Sequence, residues 1–434
     1  MAQFRKDRHE YLPDGKTLFE VVMLADQYGN RIGPANPSGV AVDAFGRARG
    51  SQPVTLFDSF NRYEDNGKFC TANTATATYS YSANAATMSL TVDTTSGAKV
   101  QRETTRVFAY QPGKSLLIMN TFVMNAPQAN LAQRIGYFNN QNGVFLEQTG
   151  TTIRFGIRSY VDGSIQHEYA NQANWNIDTL LGAVPTSPSQ TTLDLTKAQI
   201  FWSDIEWLGV GSVRCGFVIN GQLIHCHTFH HANINTSTYM TTACLPVRYE
   251  IENLGTTAAS ATLKQICSTV ISEGGYEVIG DPKSYGQEPT TQRELVSAGT
   301  YYPVVSLRLK SDKLDGIAVP KEISIAALNQ ALYKYKLVVG ATITGASWTS
   351  AGSDSCVEYD ANNSSTMAGG TTLKSGLYNS TNQSAAGVTL DGDMFKFQLE
   401  RNGLTSTPTI LTLAMTSRTA TSNVVAAIDW QEFT

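Results

Sequence analysis

The stretch Val213 to Phe229, VRCGFVINGQLIHCHTF, constrains this chain more than any other part of it. Asn220-Gly221 is the favoured pair for a two-residue type I′ turn, in which both central residues need φ > 0. A turn of that length sets the strand register. Ile219 is expected to face Gln222, Val218 to face Leu223, Phe217 to face Ile224, and Cys215 to face Cys226. Phe217, Ile224, Cys215 and Cys226 then share one apolar face, which the period-2 rule assigns to the core.

The same alternation recurs upstream and downstream. Phe201, Ser203, Ile205 and Trp207 point one way, while Asp204 and Glu206 point the other. Val100–Tyr110, Leu116–Met124, Val247–Ile251 and Leu263–Ser272 behave similarly, and Gly-containing turns separate them as in a sandwich. Composition agrees. Only 16% of the 434 residues are charged, against roughly 25% in an average globular protein. Helices need charged solvent faces, whereas half-buried sheets can use Thr and Ser. We therefore expect an all-β fold: a large antiparallel β-sandwich, jelly-roll-like or lectin-like, over residues 56–275.

Residues 1–55 read as an extended arm, rich in turn signals and poor in periodicity. Phe19, Val21, Val22, Met23, Leu24 and Phe45 are its apolar residues. They are too few for a separate core, so Phe19, Val21, Met23 and Phe45 are expected to anchor on neighbouring subunits. Residues 276–300 read as a linker, and 301–434 as a smaller C-terminal β domain. Its candidate strands are Tyr301–Leu309, Tyr333–Val339, Phe395–Leu399, Ile410–Thr416 and Val424–Trp430. The Ser-, Asn- and Gly-rich stretch between Gly345 and Gly387 is expected to form loops.

The net charge of −4 supplies no basic field to displace counterions from phosphate, so nucleic acid is not an expected partner. No run of about 18 apolar residues marks a membrane span. The first twenty residues lack the apolar segment of a secretory signal, so we expect a protein made and kept in a cytosol, or released from a cell by lysis. Six scattered cysteines are too sparse for a disulfide framework and are expected to be reduced.

His225, Cys226, His227, His230 and His231 form the densest cluster of metal-ligand types. Zinc asks for four N or S ligands in a tetrahedron. His225 and His227 share a strand face, but Cys226 points the other way. The expected register also sets His227 across from Arg214, whose charge would oppose a cation. Ordinary strand and loop histidines are the better reading, and no metal or cofactor is expected.

Asp204 and Glu206 form a same-face carboxylate pair beside Trp202. Glycosidases on sandwich folds use two carboxylates flanking the sugar. Alternating acids on a wet strand face are common and need no function, which is the better reading. Of the two functional ones, passive carbohydrate contact by Trp202, Asp204 and Glu206 is the stronger, and no catalytic residue and no enzymatic activity are expected. Gly209-Val210-Gly211 and Gly369-Gly370 belong to hairpins or loops and cradle no phosphate.

Four segments carry a family resemblance: VDAFGRARGSQPVTLFDSFNRYEDNGKF, RETTRVFAYQPGKSLLIMNTFVM, LTKAQIFWSDIEWLGVGSVRCGFVINGQLIHCHTFHHAN and LKQICSTVISEGGYE. Together they resemble a virion structural protein of tailed bacteriophages, of the kind found in marine and cyanobacterial myoviruses. The resemblance spans most of residues 40–310. It implies a particle component, assembled in the host cytoplasm, that contacts other virion proteins and forms homo-oligomers. The tail or baseplate, including fibre attachment, is the favoured place, and capsid decoration is the rival. A tail adhesin that binds a host surface glycan, or a depolymerase, remains open beside it. The Trp-containing strand followed by an Asn-Gly hairpin is also similar to concanavalin-like lectin sandwiches.

Overall fold

Period-2 alternation becomes burial on every second residue. In Leu116–Val123 the buried positions are Leu116, Ile118, Asn120 and Phe122, and the twelve-residue strand Ser422–Phe433 alternates without a break. Side chains of a pleated strand point to opposite faces, so each such strand has one face committed to a core. The computed structural model describes residues 52–277, 279–381 and 397–433 in full, and the backbone of His9–Tyr11, Leu18–Glu20 and Ser384–Thr389.

The fold is all-β. The larger sandwich stacks two antiparallel sheets. One has seven strands, in the order Gln166–Asn171, Thr152–Ser159, Gly143–Thr149, Leu131–Phe138, Val247–Asn253, Lys99–Thr104, Phe69–Asn73. The other has eight. It runs Gln222–Phe229, Val213–Ile219, Gln199–Ile205, Leu116–Val123, Ala261–Ser272, Thr87–Val92, Thr78–Ser82, and Val54–Phe60 also pairs with Ala261–Ser272. Between the sheets Phe155 stacks on Trp175 at 4.2 Å and on Phe201 at 5.7 Å, with Phe217 at 6.1 Å. These rings bury 150–250 Å² apiece by general measure, and ring pairs add about 0.5–1.5 kcal/mol beyond area.

A second, smaller sandwich follows. Its five-stranded sheet centres on Ser422–Phe433 and Ile317–Ala327. Its six-stranded sheet centres on Tyr302–Leu309, Leu411–Ser417 and Ala331–Val339. Tyr333, Leu413, Ile428 and Trp430 are among the side chains of its own core. The two sandwiches meet along residues 103–109. Val107 packs on Ile317 and Val319, and Arg401 reaches both Glu103, at 2.7 Å, and Asp315, at 3.0 Å. Both Arg401 and Glu103 are almost fully buried.

Several expectations change here. The boundary at 55 falls inside the strand Val54–Phe60. Residues 276–300 contain Asp281–Gly286 and Arg293–Leu295, both paired with Ser422–Phe433, so they are edge strands and not a linker. Residues between Gly345 and Gly387 include the ten-residue strand Thr371–Ser380, paired with Ala331–Val339, because Ser and Thr suit an exposed edge. Ile317–Ala327, which the sequence reading passed over, crosses its sheet despite Pro320. The ladder shifts register between Pro320 and Glu322, and a bulge is where a missing N–H is tolerated. Residues 397–399 of the expected strand Phe395–Leu399 are not in a strand, and 395–396 lie outside the described residues.

Met1–Gln52 separates as a unit of its own, in which His9–Tyr11 pairs with Leu18–Glu20. Phe19 sits opposite Glu10 in that backbone ladder. Val21, Val22, Met23, Leu24 and Phe45 lie outside the described residues. Among the described residues no helix is long and apolar enough to cross a membrane.

Candidate functional site

The Asn220-Gly221 hairpin forms with both residues at positive φ, 53° and 75°. Ile219 pairs with Gln222, Val218 with Leu223 and Phe217 with Ile224, as the turn requires. Beyond Gly216 the ladder slips by one residue. Cys215 therefore faces His227 instead of Cys226, and Arg214 faces Thr228 instead of His227. Gly216 is the cause at atomic scale. Its backbone lies so close under the Trp202 ring that a Cβ there would sit 2.7 Å from the ring and 2.0 Å from the Ile224 carbonyl oxygen. Cys215 and Cys226 are both fully buried free thiols, and burial raises both thiols well above their ordinary range.

Trp202, Asp204 and Glu206 separate in depth. Trp202 is 2% exposed, roofed by its neighbours and 5.7 Å from the His225 ring. It therefore underlies the surface and offers no open ring face to a sugar. Asp204, 4% exposed, is the last outward-facing residue of Gln199–Ile205 and forms an ion pair with Arg214, its partner in register. Glu206 lies just past the strand end and is exposed.

Past Glu206 the chain turns back through Leu208 and Gly209, both at positive φ, and the Gly211 N–H donates to the Trp207 carbonyl at 2.7 Å. That turn and the one at 110–115 wall a cleft of about 580 Å³ on the outer face of the eight-stranded sheet. Tyr110, Lys114, Asp204, Glu206, Arg214 and His230 are among its lining. Burial raises the Tyr110 phenol, with Glu206 adding to it, so Tyr110 remains a hydroxyl donor at neutral pH. Asp204 Oδ1 is enclosed, whereas Glu206 and Arg214 are exposed to the cleft. Fixed acceptors thus stand beside fixed donors, an arrangement suited to a polyhydroxylated ligand. Tyr110 and Lys114 escaped the sequence reading, and Arg214 entered it only as a charge opposite His227. Tyr110 and Lys114 come from a turn about ninety residues upstream, and no local pattern announces the meeting.

The histidines disperse. His225 Nε2 lies 2.9 Å from Thr228 Oγ1, His227 Nδ1 accepts from the Asn176 N–H at 3.2 Å, and His231 Nδ1 meets the Gly211 carbonyl at 2.7 Å while its ring stacks on Tyr239. His230 Nδ1 lies 3.2 Å from Ser212 Oγ. Among the described residues no group of three or more metal-ligating side chains converges.

No family model matches the chain, and no curated protein does. Solved structures do match. The β-glucanase of Bacillus licheniformis is 11% identical at a TM-score of 0.32, covering 51% of this chain and 98% of its own. The CBM2 module of the evolved Dit of Lactobacillus casei BL23 phage J-1 is 6% identical at 0.35, covering 53% and 100%. A β-1,3-glucanase of Mycobacterium marinum is 10% identical at 0.34, covering 50% and 98%. The expectation that this chain has no enzymatic activity is corrected by these matches: glucanases are among the proteins with a similar fold, and the exclusion of enzymatic function is withdrawn.

Proposed function

We propose that the chain is a structural subunit of a tailed-phage particle, seated in the tail or baseplate, whose larger sandwich engages carbohydrate through the cleft beside Asp204. The glycan part rests on one observation. Exposed Glu206 stands in the cleft beside the Asp204–Arg214 ion pair, with Lys114 also in the lining, so a carboxylate acceptor and cationic donors share one open space. The virion part rests on the four segments that resemble phage structural proteins, which run through strands of both sheets of the larger sandwich and through the cleft walls. In this reading residues 1–52 tether the subunit to its neighbours.

Two measurements test it. A glycan array probed with the full chain should give binding that falls in Glu206→Gln and Tyr110→Phe. An array with no retained glycan, or binding indifferent to both changes, removes the carbohydrate reading. Gold-labelled antibody on intact particles should decorate the tail. Label confined to the head would move the subunit to capsid decoration, and its absence from particles would end the virion reading.

A further inference from the structure

The outer face of the seven-stranded sheet carries a second, chemically different groove. Strand register sets one polar row across it: Arg154 beside Glu147, then Arg134, Glu250 and the neutral Gln101. Arg134 reaches Glu250 at 2.6 Å and Glu252 at 3.1 Å and also pairs with Glu147. Those contacts hold Glu250, almost fully buried, down at about 2 despite the cost of its burial. The groove runs from the strand Gln166–Asn171 to Lys99–Thr104, five inter-strand steps, or about 24 Å at roughly 4.8 Å each. Its volume is about 440 Å³.

One cation in this groove stands apart. Arg158 is 9% exposed, yet among the described residues it has no carboxylate at ion-pair distance. Its Nη1 donates to the Asn139 carbonyl at 2.7 Å, and its Nε lies 3.3 Å from His167 Nε2. The guanidinium also lies over the Phe138 and Phe145 rings, 5.4 Å from each centroid. Burial and the Arg158 charge lower the His167 pKa, so its ring is neutral and accepts from Arg158. The groove is lined by Lys99, Arg134 and Arg158 against Glu250 and Glu252. The carboxylates are matched by Arg134 and Lys99, which leaves the charge of Arg158 over. Beside it His167 and Tyr169 stack at 5.2 Å, and Arg154 lies over the Tyr169 ring at 3.5 Å. A partly exposed aromatic wall therefore stands next to a buried guanidinium that has no carboxylate at ion-pair distance.

We propose that this groove binds an acidic oligosaccharide, with Arg158 taking a carboxylate or sulfate of one sugar unit and the His167–Tyr169 wall lying along the sugar. A guanidinium suits such an anion because its planar fork can donate two parallel hydrogen bonds. A protein partner fits less well. Protein interfaces centre on apolar anchors, whereas the one exposed aliphatic residue lining this groove is Ile165, at its edge. The groove and the cleft beside Asp204 belong to different sheets, so this inference stands whether or not that cleft binds sugar.

The test is calorimetric titration of the full chain with three hexasaccharides: a polyuronate, a sulfated galactan and a neutral glucan. Binding of the polyuronate, the sulfated galactan or both is expected, weakening as salt is raised, with the neutral glucan at least ten-fold weaker. The uronate and sulfate arms tell which anion the groove prefers. Arg158→Gln should lose at least ten-fold in affinity. His167→Ala, at an exposed wall, should lose several-fold, and it decides the matter if Arg158→Gln does not fold. No heat with either acidic probe, equal binding of the neutral glucan, or full affinity in the folded variants would overturn the proposal, as would competition by acidic peptides as strong as by the sugars.

Discussion

Gly216 shows how one residue decides a neighbourhood. The absence of its Cβ lets the backbone pass beneath Trp202, the ladder bulges at that point, and the one-residue slip carries Arg214 opposite Thr228. Introducing a methyl group would press on a carbonyl and an indole ring, neither of which is the free end of a flexible side chain. We predict that Gly216→Ala destabilises the chain by about 1–3 kcal/mol, the usual range for overpacking, while Gly221→Ala, where a Cβ meets open space, loses less through its φ alone. Urea midpoints of the two variants check this. An unchanged midpoint for Gly216→Ala would mean that Trp202 yields freely. The sequence carried a signal here, since a glycine inside a strand pattern marks a bulge or a close approach. Asp204 and Glu206 were equally visible as a same-face pair. That Trp202 would be roofed over was not, because its exposure depends on Gly216 and His225, which arrive from other strands.

At the scale of the element, the strand Gln222–Phe229 brings two histidines into a partly dry setting. Burial lowers His225, and it pushes His227 down to about 4; Arg214 adds to the shift at His225, while Glu168 opposes it at His227. Unfolded, both would titrate near 6.5. Between these values the unfolded chain binds protons that the folded chain does not, so stability falls as pH drops from about 6.5 towards 4. Glu250 acts in the same sense over a lower range: its stabilisation is present above about 4.5 and lost as pH falls towards 2. Between about 6.5 and 4.5 the lowered histidines, His167 among them, make stability fall with falling pH, while Glu400, raised by burial, opposes them. We expect unfolding free energy to drop by on the order of 2 kcal/mol across that window, with most of the slope removed in His227→Gln. A flat profile between pH 7 and 4.5 would count against the buried placement of His227. Strands themselves were legible wherever alternation was clean, as in Leu116–Val123. They were lost where punctuation misled, as at Pro320, or where polarity suggested loops, as in Thr371–Ser380.

The whole molecule joins its two sandwiches through contacts that no local pattern encodes. Arg401 lies about 300 residues from Glu103 in the chain, yet it is buried against it and against Asp315, and Gln398 donates to the Val107 carbonyl at 2.8 Å. The period-2 reading finds strands but does not say which of them share a core, so the edge strands Asp281–Gly286 and Arg293–Leu295 passed for a linker. The existence of two cores bears directly on residues 1–52. Pro53–Thr434 forms a unit with its own buried clusters, and its first strand, Val54–Phe60, already pairs with Ala261–Ser272. A truncation that begins at Pro53 keeps that strand whole, whereas one beginning after Phe60 would strip the ladder along Cys267–Ser272. We predict that the chain starting at Pro53 folds and melts cooperatively, within a few degrees of the full chain, but no longer enters particles or oligomers. Burying an apolar side chain such as Phe19 or Met23 contributes about 1.5–3 kcal/mol, so a few anchors on neighbouring subunits can outweigh the ordering of a short segment. Calorimetry and sedimentation of the truncated and full chains, followed by particle incorporation, read the two halves separately. Normal assembly of the truncated chain would end the tether hypothesis, and failure to fold would show that residues 1–52 complete the structure from which they were removed.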